Sequence, residues 1–337
     1  MDKVENAKRT LRLAVEMSEH YYHAPLIICY SGGKDSDVIL RLAMETLTPD
    51  QYEVLHSITT VDSPITNKYV NDIYKELKSK GIKAEKNIPV GPDGKPTNMW
   101  KLIVQRQMPP TRLARYCCQV LKEVSTPNRI AVLGVRQDES SMRKGRDVFG
   151  IRGETKKDYV HFSVDHTEEV FHEGLEKENE VNGEAWDCTL IKNMKLQKDA
   201  IVNLIYEWSD EDVWNYLRSN NYPHNPMYEM GYHRVGCVGC PMATYKQKKK
   251  EFSDFPGVKN LYIKAFDEML KVRHQGGKTN TDKYGNNWKT GKDVYDWWVQ
   301  EFKYVPKGQM TIMEYMEQAE EKTDEFGLIV RKKNERD

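Results

Sequence analysis

Six consecutive residues and four cysteines have the types and spacing to do chemistry in this sequence of 337 residues. Ser31-Gly32-Gly33-Lys34-Asp35-Ser36 follows a short apolar run at 26–30 and precedes a helical pattern carrying Val38, Ile39, Leu42, Ala43 and Met44. Between a strand and a helix, successive glycines let the backbone curl so that several N–H groups converge. The helix that follows adds the positive end of its dipole. Lys34 supplies a mobile cation, and Ser31 and Ser36 supply hydroxyl donors; together they suit a pyrophosphate group. The spacing is neither G-x-x-x-x-G-K-[ST] nor G-x-G-x-x-G. Two glycines alone would mark only a turn at a strand end. The full string in a strand–turn–helix setting favours the phosphate loop.

Cys117-Cys118 and Cys237-x-x-Cys240 form two tight pairs. A CxxC turn points both sulfurs to one side, and two pairs make a four-thiolate set, which selects zinc or an iron–sulfur cluster. Neither common ferredoxin spacing fits, so the residues leave the metal open. Side chains of adjacent residues in an extended chain point apart, which suits one small ion less well than a bulky cluster. Of the other two cysteines, Cys29 reads as packing in the core strand. Cys188 reads as a buried strand cysteine, with a persulfide carrier as the sharper alternative.

Charge adds further candidates. Residues 101–150 hold ten Lys or Arg against four acids. Most charge runs are solvated helix faces, but Arg136 and Arg143 leave the carboxyl end of a predicted central strand, where open α/β sheets bind ligands. Arginine forks suit nucleotide phosphates. Asp35 and Asp62 are candidate contacts for a nucleotide or its Mg²⁺, with a turn cap as the simpler role of Asp62. Glu139 is placed to pair with Arg143 four residues on along a helix. Arg112, Arg115 and Arg234 precede the cysteine pairs. His224 and His233 read as surface or packing residues, Trp208 and Trp214 as core anchors.

The elements that must position these residues alternate. Helical spacing covers 3–20, strands are expected at 26–30, 53–60, 82–88 and 130–135, and a helix at 66–79. Strands alternating with helices predict an α/β fold, a parallel sheet with helices on both faces. Residues 165–184, with eight acids and one Lys, read as a solvated loop, and 186–191 as a late strand. Ser209 with Asp212 three residues on caps a helix at 209–219. Beyond Cys240 the chain turns basic and then helix-rich, with a polar loop at 276–291 and a last amphipathic helix at 311–323. Two units are expected, 1–245 and a helical extension at 246–337.

Composition bounds the partners. Lys plus Arg and Asp plus Glu are 51 each, which argues against a whole-chain basic coat or acidic tail. Hydrophobic residues at 39% lie outside the disordered regime. No apolar run is long enough to span a membrane, and the first residues lack the apolar stretch of a secretory signal. A cytoplasmic protein without a membrane partner is expected, and in a reducing compartment no disulfide framework.

The string at 31–36 resembles the signature of the PP-loop, or N-type, ATP pyrophosphatases. Within that superfamily the chain is similar to the phosphoadenosine-phosphosulfate reductase family. The likeness rests on Gly134-Val135-Arg136-Gln137-Asp138-Glu139-Ser140-Ser141-Met142-Arg143, Glu207-Trp208-Ser209-Asp210-Glu211-Asp212-Val213-Trp214 and Arg234-Val235-Gly236-Cys237-Val238-Gly239-Cys240-Pro241. The resemblance implies cleavage of ATP to AMP and pyrophosphate on 31–36 with Mg²⁺. Lys34, Asp35 and Arg143 would then be catalytic, and Ser31, Gly32, Gly33, Ser36, Asp62 and Arg136 would complete the nucleotide contacts. Adenylyl-sulfate reductases and DndC-like DNA sulfur-modification proteins resemble this chain in their paired cysteines. That likeness implies a [4Fe–4S] cluster on Cys117, Cys118, Cys237 and Cys240. Sulfonucleotide reductases also carry a C-terminal Glu-Cys-Gly-(Leu/Ile)-His motif, whereas no cysteine follows Cys240 here. The expectation is therefore ATP-dependent sulfur transfer, with a cysteine desulfurase as donor and DNA or tRNA as acceptor within an assembly. The alternatives are sulfonucleotide reduction with a thiol in trans, and a non-catalytic sensor of nucleotide or cluster, as in IbrA-like members.

Overall fold

The computed structural model describes residues 2–123, 126, 128–139, 143, 146–152, 163–178, 189–280 and 288–300. Local signals set the first elements. Helix α1 (Lys3–Tyr22) starts at Asp2, whose side chain accepts from the Val4 N–H, and buries Ala7, Leu11, Ala14 and Ser18 on one stripe. The apolar run becomes β1 (Leu26–Cys29), and α2 (Lys34–Thr46) begins inside the glycine string. Strand β2 (Tyr52–Ser57) alternates buried and half-buried residues. Helix α3 (Pro64–Ser79) has Ser63 as cap and Pro64 in its first turn, where a missing N–H costs nothing.

Strands β3 (Ala84–Asn87), β4 (Ile130–Leu133), β5 (Phe149–Ile151) and β6 (Ala200–Asn203) complete a six-stranded sheet ordered β3-β2-β1-β4-β6-β5. Five strands are parallel, as expected, and β5 adds an antiparallel edge on β6. Strands of three and four residues are too short to show a period, so neither β5 nor β6 was expected.

Two expectations are corrected. Much of the acidic stretch is not a loop: α6 (Val164–Glu178) is a helix. It buries Val164, Thr167 and Phe171, a helical stripe that the acid count concealed, while Arg9 of α1 pairs with Asp165 and Glu168. The expected late strand is overturned at its end, because 189–191 open α7 (Thr189–Lys195). Cys188, the helix at 311–323 and the middle of the polar loop, 281–287, lie outside the described residues.

Two cores result. The first joins the sheet to α1, α2, α3, α6, α7 and α8 (Asp210–Ser219). The second joins α4 (Met99–Arg106), α5 (Tyr116–Leu121), α9 (Tyr245–Asp254), α10 (Pro256–Gln275) and α11 (Gly291–Trp298), with Cys117 and Cys237 inside it among Phe252, Tyr262 and Trp298. Among the described residues no helix is long and apolar enough to cross a membrane.

Candidate functional site

Strands β1 and β4 are neighbours, and from them the sheet runs to β2 and β3 on one side and to β6 on the other. That reversal opens a crevice at the carboxyl ends of the two strands. The loop 31–36 leaves β1, and 134–139 leaves β4, so both sequence motifs meet there. The approach is close: a Cβ on Gly134 would come within 3.0 Å of the Asp35 backbone. Glycine is what lets β4 end against α2.

The loop is shaped from within. The Ser36 hydroxyl donates to the Gly33 carbonyl at 2.7 Å and accepts from the Gly33 N–H at 3.1 Å. Ser36 is buried, whereas Ser31 is exposed. Asn225 donates to the Gly32 carbonyl at 2.8 Å, and the Lys34 N–H donates to the Tyr228 hydroxyl at 2.9 Å. Trp214 packs edge-on against Tyr228, with ring centroids 5.0 Å apart. The tryptophan motif therefore reaches the loop through Tyr228, while Trp208 is buried in the first core. Asn225 and Tyr228 were not found by sequence reasoning, since nothing local marks them.

Lys34 and Arg136 are buried cations, and both are neutralised. Arg136 Nε donates to Asp35 at 2.6 Å, and Lys34 Nζ lies 3.3 Å from the same carboxylate. A second carboxylate, Asp210, receives Lys34 at 2.9 Å and Arg136 at 2.8 Å. Partial burial pushes the Asp210 carboxyl upward, but the Lys34 hydrogen bond and the two positive charges outweigh it and hold the group below its usual range. The sequence places Asp210 in a capped helix and in the family-like tryptophan motif, with no site role given to it; its one signal is an acid at the first helical position. Arg143 pairs with Glu139, as expected from their spacing. Residues Gln137–Glu139 form a single 3₁₀ turn. Burial and the nearby Arg234 and Arg146 charges push Arg143 down, with Asp35 opposing them.

Beneath the loop, Asp37 is buried. Tyr30 donates to its Oδ1 at 2.7 Å, and Oδ2 has no hydrogen-bond partner. Burial lifts this carboxyl to about 7, although Tyr30, Tyr69 and Arg41 act to lower it.

The structure brings all four cysteines of the two pairs into the second core. The CxxC turn is pinned from three directions. Val238 N–H donates to the Val61 carbonyl at 2.8 Å, Gly239 N–H to the buried Glu251 carboxylate at 2.7 Å, and the Tyr262 hydroxyl to the Val238 carbonyl at 3.1 Å. Gly239 has a φ of +72°, and a Cβ there would lie 2.5 Å from the Phe252 ring. No other residue fits this turn without displacing the aromatic wall.

Electrostatics link the thiols. Cys117 donates to Cys118, so Cys117 is pushed up while Cys118 falls to about 6, helped by Lys122 and Arg115. Cys237 is raised by burial, against the lowering charge of Lys122. Lys122 is itself raised, first by Cys237 and then by Asp62 and Cys240. Asp62 accepts from Thr59 at 2.6 Å and lies beside Lys122 and Cys237, so the structure brings it to the thiol side. Among the described residues, no three His, Cys, Asp or Glu side chains are grouped closely enough to hold a metal ion as they stand. The donor set is nonetheless all sulfur, the chemistry of zinc or iron–sulfur binding.

Cys29 lies in β1, its thiol raised to about 11 by burial. Arg112, Arg115, His233 and Arg234 are exposed, and His224 lies against the Trp214 ring.

The phosphoadenosine phosphosulfate reductase domain family matches residues 25–243. An uncharacterized protein of Methanocaldococcus jannaschii is 23% identical over 282 residues, 81% of this chain and 48% of that protein. The chain thus spans about half the length of such curated relatives. An adenosine 5'-phosphosulfate reductase of Neisseria meningitidis is 45% identical over 38 residues, 11% of this chain and 16% of the reductase. Among solved structures, a phosphoadenylyl-sulfate reductase from Candida auris, in its phosphate complex, covers 68% of this chain and 87% of its own, at 14% identity and a TM-score of 0.38.

Proposed function

The chain belongs to the phosphoadenosine phosphosulfate reductase domain family, and on that premise we propose that it is an ATP-dependent sulfur-transfer enzyme. The observation that carries this reading is the shared edge. The phosphate loop follows β1, the Val61 carbonyl that holds the CxxC turn follows β2, and Arg136 follows β4. A nucleotide on the loop and a sulfur chemistry on the cysteines would therefore work side by side.

In this reading an acceptor oxygen attacks the α-phosphorus of ATP. The bond to the bridging oxygen breaks, and pyrophosphate leaves with the electron pair. Lys34 and the amino end of α2 meet the charge that develops on it, an electrostatic role. Arg136 and Arg143 orient the nucleotide phosphates, and Asp35 holds Lys34 and Arg136 in place. Mg²⁺ would enter with the triphosphate. The outer sulfur of a persulfide from an external donor, such as a cysteine desulfurase, then attacks the acceptor, AMP leaves with the electron pair, and an external thiol cleaves the resulting acceptor–donor disulfide, releasing the sulfurated acceptor and becoming a disulfide with the donor cysteine. Cys117, Cys118, Cys237 and Cys240 would hold a [4Fe–4S] cluster, which when bound supplies iron for handling sulfur or electrons. The rest of the thiol site acts by position: Glu251 and Tyr262 fix the turn, and Lys122 and Arg115 offset thiolate charge.

The local match to an adenosine 5'-phosphosulfate reductase favours a second reading, reduction of a sulfonucleotide with a thiol supplied in trans. The test is made on anaerobically purified protein with DNA or tRNA present as acceptor. Exchange of labelled pyrophosphate into ATP, with bound iron and sulfide lost in Cys237→Ala, supports sulfur transfer. Sulfite release from adenylyl sulfate without exchange supports the reductase. Neither activity, in protein that binds nucleotide, overturns both.

A further inference from the structure

We propose that Tyr228 is a phosphate-binding residue of the loop, its hydroxyl donating to an anionic oxygen seated at the amino end of α2. The inference deepens the nucleotide reading of 31–36 and rests on it.

The hydroxyl stands against the backbone of the loop. It accepts from the Lys34 N–H at 2.9 Å, and a Cβ on Gly33 would come within 3.5 Å of it. Lys34 opens α2. Its amide is therefore one of the first in the helix, which have no carbonyl a turn earlier to bond and which point at whatever lies beyond the helix end. Because the amide supplies the hydrogen of that bond, the hydroxyl's own hydrogen points elsewhere. Among the described residues no acceptor takes it. Tyr228 is half-buried rather than sealed, so a ligand oxygen has access to it.

The phenol is fixed to the loop it would serve. Residues Pro226–Tyr228 form a 3₁₀ turn capped by the Asn225 side chain, which accepts from the Met227 N–H at 3.1 Å. The same side chain donates to the Gly32 carbonyl at 2.8 Å. Asn225 and Tyr228 thus hold the loop at a carbonyl and at an amide. Met227 between them is buried, with the Ser63 hydroxyl donating to its sulfur at 2.9 Å. Trp214 braces the phenol ring edge-on. A donor held in place before the ligand arrives loses little freedom on binding.

A hydroxyl that accepts one hydrogen bond donates a stronger one. Here it draws on an amide at the positive end of a helix, and the bond it offers to a phosphate oxygen is charge-assisted. Burial, with the charges of Asp35, Asp37 and Asp210, pushes the phenol up against the lowering effect of the Lys34 N–H. The group therefore stays a donor through the neutral range.

The experiment is calorimetric binding of pyrophosphate and of adenosine to the full chain, wild type against Tyr228→Phe, with urea unfolding run on both. The substitution keeps the ring beside Trp214 and removes only the hydroxyl. Pyrophosphate affinity should fall about tenfold or more, the factor to which one charge-assisted hydrogen bond corresponds. Adenosine affinity should not change. Unchanged or tighter pyrophosphate binding, whatever the unfolding midpoint, would show that the hydroxyl only caps the Lys34 amide, and would overturn the proposal. So would an equal loss for adenosine, which marks a disturbed site rather than a lost phosphate contact, and so would a wild type that binds no pyrophosphate. Weakened pyrophosphate binding in the variant without ATP–pyrophosphate exchange in wild type leaves the proposal standing and removes the adenylation reading. Exchange with an unchanged pyrophosphate affinity does the reverse.

Discussion

The glycine loop 31–36 and the two cysteine pairs lie on the same edge of the sheet but treat buried polar groups in opposite ways. At the loop, each buried cation meets carboxylates: Asp35 and Asp210 serve both Lys34 and Arg136. At the cysteines, the thiols have chiefly one another. Their mutual proximity raises Cys117 while Cys118 falls, and Lys122 is the main charge that offsets them. One region is electrically closed before any ligand arrives, so binding there is an exchange of anions. The other is held rigid by hydrogen bonds to its backbone, and its buried Cys117 and Cys237 thiols are pushed up with Lys122 beside them.

The largest effect should come from breaking the closed region. On the proposed mechanism, Lys34→Ala removes the cation that would face the leaving pyrophosphate, and it should lower ATP–pyrophosphate exchange by about 10²–10³-fold. Iron and sulfide content should not change, because the thiols have their own scaffold. Loss of both together would show that the two regions are not separable.

The converse break is Gly239→Ala. A Cβ 2.5 Å from Phe252, at a φ of +72°, should destabilise the chain by about 3 kcal/mol. Urea unfolding reads this directly. Nucleotide affinity in the folded fraction should be unaffected.

A smaller effect sharpens the contrast beneath the loop. Asp37 titrates near 7 in the folded chain, whereas an unfolded carboxyl titrates near ~4. The native state therefore keeps a proton that the unfolded chain gives up. The Asp37 contribution is most favourable below about pH 4 and is lost as pH rises to 7, with a slope of at most about 1.4 kcal/mol per pH unit. Asp37→Asn should flatten that part of the stability profile, and a parallel profile would refute the buried carboxyl as its source.

The smallest effect is chemical. With no metal loaded, Cys118 should alkylate at a lower pH than an ordinary thiol. Cys117 and Cys237, both buried and raised, should lag. Mass spectrometry of iodoacetamide-treated protein over pH 5–9 (a range of roughly two units either side of neutrality) orders them.

Much of the fold was legible because its signals are local. The apolar run of β1, the glycine string, Ser63 before Pro64, and the Ser209–Asp212 box each act within a few residues. The acidic segment misled because charge count hid the stripe of Val164, Thr167 and Phe171. Strands β5 and β6 carried too few residues to show a period. At the site, the loop and the cysteine pairs stood out by residue type. Asp210, Tyr228, Asn225 and Glu251 did not, because an acid on a helix or a tyrosine in a 3₁₀ turn is ordinary until its partner is known.

The sequence by itself determined the α/β class, the curled loop ahead of α2 and the pairing of cysteines, since converging N–H groups, caps and a CxxC turn are built by neighbours in the chain. Only the tertiary structure decided which charges meet. Setting β4 beside β1 carries Arg136 to Asp35, 101 residues away, and the turn into α8 carries Asp210 to Lys34. The contact of Val238 with Val61 brings the second cysteine pair to the same edge. Ionic pairing depends on distance in space, and distance in space is set by which strands are neighbours.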